Sequence, residues 1–543
     1  MRSFLNKIKS ININIYLYTL IYTIFTILFF NIGPLKYIMM TTKDFSNVMN
    51  FSIVLICIFN IIFSIIFSKK TVKFLSILFL LINAGILYFM NTYNVSIDRT
   101  MLINALETNV AETMELLNLK FVLYLFVFAV IPGFFIFNIN INNNYKLLKT
   151  FLCKIGIIAL SLIIGCITLF LDYKELSSTA RVNRDIKYKV IPLNYFDSLY
   201  SLARRKIKNR KIPFQDLTGD VKISNNFVND KKNVLVFIVG EAARSIEFSL
   251  NNYEKDTNAP LKDKDVIFYD NFYSCGTATA ISVPCMFSSF ERKNFNLNQK
   301  DSFSNLFDFL KKANVYSYWR DNNSDCKGVC NRIENDNVVK EKLENICNSK
   351  ECYDEILITD LEKRIENLKN QNNVLVLHQK GSHGPAYYLR YPREFEKFSP
   401  VCKTESFNEC SIEEIKNAYD NTIYYTSYII NKTIEILQKY ENDFNVSLIY
   451  VSDHGQSLGE NGLYLHGAPY NFSPDEQRHI PYIMWLSKNF ADNFKIDREC
   501  LNLQRNEHFS QDNIFHSILG LFGIETKYYN ADLDLFKNCR IAK

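Results

Sequence analysis

The sequence predicts a two-part protein: a multi-span α-helical membrane domain followed by a soluble α/β domain with helices around a mainly parallel sheet. Three observations predict it. The first 171 residues hold a series of uncharged apolar runs, residues 231–543 hold short Val-, Ile- and Leu-rich runs that each end in a polar cluster, and an even set of cysteines follows Leu171.

No charge falls between Ser10 and Leu35, Asp44 and Lys69, Lys73 and Asp98, or Lys120 and Lys146, and a shorter run covers Ile155 to Leu171. A membrane-crossing helix needs about 17 to 25 mostly apolar residues, so five spans are expected, with residues 1–172 as the membrane domain. The first run is too long for a cleaved signal peptide and no small-residue cleavage site follows it. Basic residues precede the first run (Arg2, Lys7, Lys9) and join the second to the third (Lys69, Lys70, Lys73) and the fourth to the fifth (Lys146, Lys149, Lys154). The positive-inside rule makes those loops cytoplasmic, and an odd number of spans puts everything after Leu171 outside.

The cysteines agree with that placement. Of 13, Cys57, Cys153 and Cys166 lie in or beside spans, where an unpaired small apolar residue is ordinary. The rest fall in couples, Cys275 with Cys285, Cys326 with Cys330, Cys347 with Cys352 and Cys402 with Cys410, leaving Cys500 and Cys539. An even set in an exported domain reads as disulfides; the rival reading, a zinc cluster begun by Cys326 and Cys330, lacks a matching couple nearby. The net charge of +6, from 62 basic and 56 acidic residues, partly reflects the cytoplasmic loops and indicates no nucleic-acid partner. Residues 173–230, with "ARRKIKNRKIP" at 203–213, read as an amphipathic connector leaning on anionic headgroups at the membrane surface, or as a solvated linker.

From residue 231, "NVLVFIVGE" (233–241), "NVLVLHQKGSHGP" (373–385) and "NVSLIYVSDHG" (445–455) read as strands buried on both faces of a mainly parallel sheet, with helices over 354–371 and within 420–440. Ligands of open α/β sheets bind beyond the carboxyl ends of the strands. That edge would carry Glu241, His383, Asp453 and His454, and two carboxylates with an imidazole suit zinc with one position open. "SCGTATAISVPC" (274–285) offers hydroxyls between two cysteines. A threonine hydroxyl is a poor nucleophile unless a metal stabilises its alkoxide, and a bridge across the loop would hold it in place.

Five motifs, "VGEAAR", "SCGTATAISVPCMFS", "WRDNNSDCKGVC", "HQKGSHGPAYY" and "VSDHGQSLGENGLYLHG", together resemble the ordered set of the bacterial lipid A phosphoethanolamine transferases of the alkaline phosphatase superfamily, which include the mobile colistin resistance enzymes. The resemblance covers the whole chain. It implies an inner-membrane enzyme whose catalytic domain, residues 231–543, lies in the periplasm. It implies a zinc site of Glu241, Thr279, Asp453 and His454, with Thr279 as nucleophile, His383 and His466 touching the transferred group or a second zinc and moving protons, and Ser324 and Lys327 touching phosphoethanolamine. Ala242 and Gln456 stand where the family commonly has Thr and Glu; neither is a ligand in this mapping. In "MLINALETNVAETMELL" (101–117) an apolar stripe at helical spacing opposes Asn104, Thr108 and Glu112, an amphipathic surface helix whose three polar residues the family uses to hold the donor headgroup.

The expected reaction passes phosphoethanolamine from phosphatidylethanolamine to Thr279 and on to an envelope acceptor, lipid A first among them, with a core sugar or protein hydroxyl as the others. Added ammonium groups would lower the negative charge of the surface and blunt cationic peptides such as polymyxin. A monomer is expected. The alternatives are a phosphoglycerol transferase or sulfatase-like hydrolase of the same superfamily, or a non-catalytic membrane-anchored binding protein. Metal content and turnover of a labelled lipid separate them.

Overall fold

A computed structural model describes residues 2–42, 44–107, 116, 118–142, 147–171, 186–209, 213–224, 231–338, 341, 343–347, 351–368 and 371–541. The chain divides into two compact units, Met1–Leu102 with Leu117–Ser201, and Ile103–Leu116 with Leu202–Lys543.

The first unit is built from the apolar runs. Helices α1 (Ile15–Phe30) and α2 (Ile32–Thr42) are followed by α3 (Phe45–Ile66), α4 (Val72–Tyr93) and α5 (Arg99–Glu107), of which only Arg99–Leu102 belong to this unit. The helical stretch α6 (Leu119–Asn138) and α7 (Leu147–Leu171) complete the set. Among the described residues α3, α4, α6 and most of α7 are each long and apolar enough to cross a membrane unbroken. The first expected span is instead a helix pair bent by 60° at Asn31. At about 1.5 Å per residue the 16 residues of α1 reach ~24 Å, so the five-span count requires α1 and α2 to act as one bent crossing. Pro34 lacks an N–H and sits in the first turn of α2, where that loss is tolerated. Within α6, Pro132 cannot donate and crowds the carbonyl four residues back, and the preceding turn, Phe126–Val130, widens to π-helix.

The connector departs from a purely surface-lying segment. Its helix α8 (Leu193–Asn209) begins inside the first unit: Ile191 exchanges two hydrogen bonds with the Asn31 side chain, and the Tyr195 hydroxyl donates to Asn83 Oδ1 at 3.0 Å. Further along, Leu199 and Tyr200 are exposed.

The second unit is organised by a seven-stranded sheet. Its strands are β1 (Lys232–Gly240), β2 (Ile267–Tyr269), β3 (Val315–Asp321), β4 (Glu334–Asn337), β5 (Asn372–His378), β6 (Phe444–Ser452) and β7 (Tyr482–Leu486). The order is β2-β7-β6-β1-β5-β3-β4, parallel from β6 to β4 and antiparallel at β7 and β2. All but the first residue of β1 and of β6 are buried, as an unalternating apolar strand requires. The register pairs Gly240 with Ser452, Val239 with His378, and His378 with Asp321, so the strands end level and the residues after them gather at one edge. The long helix α10 (Ile412–Gln438), started by a Ser411–Glu414 capping box, lies where helical periodicity predicts it. Among the described residues of 354–371 there are only a 3-10 turn and the short helix Leu361–Glu366, because Asp354 turns inward to accept from the Lys380 and Gly381 N–H groups. Disulfides join Cys275 to Cys285, Cys326 to Cys330, Cys347 to Cys352, Cys402 to Cys410 and Cys500 to Cys539, which excludes the cysteine zinc cluster and fits an oxidising compartment.

Candidate metal centre and nucleophile

Each candidate ligand is delivered by a strand end or a helix start. Glu241 follows β1, and Asp453 and His454 follow β6. Thr279 is the first residue of α9 (Thr279–Met286), with Ala278 extended at φ −154° as its N-cap. Their polar atoms converge. The Thr279 hydroxyl donates to Glu241 Oε2 at 3.0 Å and lies 3.3 Å from His454 Nε2. His454 Nε2 is 3.4 Å from both Glu241 Oε1 and Asp453 Oδ2. His454 Nδ1 faces the Gly455 carbonyl at 2.8 Å; a carbonyl can only accept, so Nδ1 carries the hydrogen and the Nε2 lone pair faces the cluster.

These atoms fit a cation. Glu241 Oε1 and Asp453 Oδ2 are buried and accept no hydrogen bond, an arrangement that is unfavourable for carboxylates without an opposite charge. Tetrahedral arms of about 2.0–2.2 Å would set ligands roughly 3.3–3.6 Å apart, close to the separations present. Burial, with Asp453 adding to it, pushes the Glu241 carboxyl up to about 7, and burial pushes Asp453 up to about 6. Burial pushes His454 down, against the pull of Glu241. Glu241, His454 and His466 each place a ligand atom within 4.8 Å of the others.

The surrounding loops fix this geometry. Asp453 Oδ1 accepts from the N–H groups of Ala242 and His454 at 3.1 and 2.7 Å; Ala242 makes its turn at φ 54°. Gly381 brings the turn after β5 against Glu241: at φ +51° a Cβ there would lie 2.8 Å from the Glu241 carbonyl oxygen. Cys275 N–H donates to Gln511 Oε1, and Gln511 Nε2 donates to the Ser452 and Asp453 carbonyls, tying the loop before Thr279 to β6. Thr277 exchanges hydrogen bonds with the chain beyond His466, its hydroxyl to the Ala468 carbonyl and its own carbonyl from Gly467 N–H.

The two further histidines adjoin the cluster. The His466 ring centroid lies 4.2 Å from that of His454 and 5.8 Å from that of His383. His466 Nδ1 donates to Gln456 Oε1 at 2.8 Å, and Gln456 Nε2 donates to the Tyr387 hydroxyl. Gln456 thus keeps Nε2 of His466 as its working nitrogen. His383 is half-buried, its Nδ1 makes no hydrogen bond, and its carbonyl accepts from Arg390 Nε, while Nη1 of the same arginine pairs with Glu351. Burial, then Lys380 and His466, pushes His383 well below the ordinary imidazole value. Lys327, at φ 50° within the Cys326–Cys330 bridge, donates from Nζ to Ser324 Oγ at 2.7 Å. Asn104 is half-buried on α5; Thr108 and Glu112 lie outside the described residues. Sequence reasoning missed Asp321, Asn323, His378 and Gln511. The first three stand inside quoted motifs, but an amide or a second-layer histidine carries no signal of its own.

The chain as a whole is similar to known proteins. Residues 233–524 match the sulfatase family, and residues 55–207 match the phosphoethanolamine transferase EptA/EptB family. The chain is 39% identical over 471 residues to phosphoethanolamine transferase EptA of Salmonella typhimurium strain LT2, covering 86% of each chain. It is 35% identical to phosphatidylethanolamine transferase Mcr-1 of Escherichia coli, covering 77% of this chain and 79% of that one. The structure of the integral membrane lipooligosaccharide phosphoethanolamine transferase A from Neisseria meningitidis superimposes with a TM-score of 0.93 at 31% identity, over 98% of this chain and 100% of that one.

Proposed function

The chain belongs to the phosphoethanolamine transferase EptA/EptB family, and we propose that it moves phosphoethanolamine from phosphatidylethanolamine to lipid A by way of a phosphorylated Thr279, using zinc. The observation that carries this reading is the Thr279 hydroxyl, 3.0 Å from Glu241 and 3.3 Å from His454, at the rim of a buried cluster whose two unbonded carboxylate oxygens call for a cation. Glu241, Asp453, His454 and Thr279 would hold the zinc, which supplies Lewis-acid charge that favours alkoxide over hydroxyl.

In the first displacement Thr279 Oγ1 bonds to phosphorus and the phosphorus–oxygen bond to diacylglycerol breaks. The threonine proton ends on the glycerol oxygen, carried by His383 or His466; burial holds both well below the ordinary imidazole value, which favours passing the proton on to the glycerol oxygen over keeping it. In the second displacement an acceptor oxygen bonds to phosphorus, the bond to Thr279 breaks, and the acceptor's proton returns to Thr279. Lys327 and the N-terminus of α9 offset charge on the equatorial oxygens. Ser324 touches the transferred group, and Asn104, Thr108 and Glu112 hold the donor headgroup, Glu112 against its ammonium. Product lipid A would carry fewer net negative charges and bind polymyxin-type cations less.

The test is transfer by full-length protein in mixed micelles from headgroup-labelled phosphatidylethanolamine to lipid A, read by mass spectrometry. Phosphoethanolamine-bearing lipid A is expected. Release of free phosphoethanolamine alone would mark a hydrolase, and transfer from phosphatidylglycerol instead would mark a phosphoglycerol transferase.

A further inference from the structure

We propose that Asn323 is a positioning residue for the metal centre, with Asp321 and His378 as the wall behind it; this rests on the metal reading above. Asn323 sits just beyond β3, and its amide has only one workable orientation. Oδ1 accepts from Ser324 N–H at 2.7 Å. Nδ2 then faces acceptors on its other side, Glu241 Oε2 and the Gln379 carbonyl, each at 2.9 Å, with His378 Nε2 at 3.4 Å. A flipped amide would set an oxygen against a carboxylate and a carbonyl. Glu241 Oε2 is therefore engaged by Asn323 and Thr279, which turns Oε1 toward His454 Nε2.

The amide is itself held from behind. Asp321 accepts from three donors: Trp319 Nε1 at 2.9 Å and His378 Nδ1 at 2.8 Å on Oδ2, and Asn323 N–H at 2.9 Å on Oδ1. With Nδ1 donating, His378 presents the Nε2 lone pair to the Asn323 amide. Trp319, Asp321, Asn323 and His378 are all buried, at 0 to 4% exposure, so water cannot replace any of these bonds. A ligand carboxylate fixed in this way needs no reordering when a cation binds. Removal of such outer partners typically weakens metal affinity about 10- to 100-fold.

The test compares wild type with Asn323→Ala, both full-length in detergent, by zinc competition against a chromophoric chelator, melting temperature in excess chelator, and transfer with and without added zinc. Zinc should bind the variant about 10- to 100-fold more weakly, with transfer largely restored by excess zinc; the lost buried bonds should lower the chelated melting temperature as well. His378→Gln should shift zinc affinity in the same direction by less. If Asn323→Ala fails to accumulate, Asn323→Ser, whose hydroxyl can still accept from Ser324 N–H, carries the same readouts. Wild-type zinc affinity in the Asn323 variants, with transfer lost and not rescued by zinc, would place Asn323 on the substrate and overturn the proposal. A wild-type protein that retains no zinc would instead overturn the metal reading itself.

Discussion

Glu241 and Asp453 show at single-residue scale how burial sets chemistry. Their carboxyls, pushed up to about 7 and about 6, hold protons near neutrality that a cation must displace. Zinc affinity should therefore rise with pH between about 5 and 7 and level off above, because protons compete below the raised values and are gone above them. Chelator competition at pH 5.5, 6.5 and 7.5 measures this; affinity independent of pH would mean the carboxylates are not the ligands. As candidates these two residues, with His454, were legible because they arrive together at equivalent strand ends; each alone is as readily a cap, a surface charge or a turn. Asn323 and Gln511 were not, since an asparagine or glutamine reveals its role only when distant carbonyls and carboxylates come within 3 Å of it. Gln456 was legible only as a departure from the family, and its place beneath His466 had to come from the structure.

At the scale of elements, α9 and its bridge carry the proposed nucleophile. Cys275 precedes the helix and Cys285 lies near its end, so the disulfide closes a short loop around Thr279. Replacing both cysteines with serine should lower stability by about 2–4 kcal/mol, measured by denaturant midpoint, and should lower transfer as the loop loosens; unchanged stability and rate would reduce the bridge to a surface ornament. Strands β1, β5 and β6 and helix α10 were legible because burial on both faces and a regular apolar stripe leave strong patterns. The helix expected over 354–371 was not, because its first residue is taken by long-range contacts with the turn after β5. The bend at Asn31 hides in a run that carries no charge from end to end.

For the whole molecule the proposed division of labour runs between membrane-side capture and chemistry at the sheet edge. The proposed ligands and Thr279 all follow residue 231, whereas Asn104, Thr108 and Glu112 precede the fourth apolar run. A chain beginning near residue 215 should fold, retain zinc and slowly cleave a small soluble phosphodiester while failing on bilayer lipid. In the full-length protein Glu112→Ala should lose about 1.5–3 kcal/mol of donor binding, roughly a tenfold to hundredfold drop in use of phosphatidylethanolamine, with the soluble ester spared. Equal loss on both substrates would remove Glu112 from the donor site. The most direct measurement is intact-mass and peptide analysis of full-length protein incubated with phosphatidylethanolamine and no acceptor. Phosphoethanolamine on Thr279 in wild type, and neither adduct nor transfer in a folded Thr279→Ala variant, is the predicted result. An adduct on another residue, or transfer by Thr279→Ala near the wild-type rate, would contradict it.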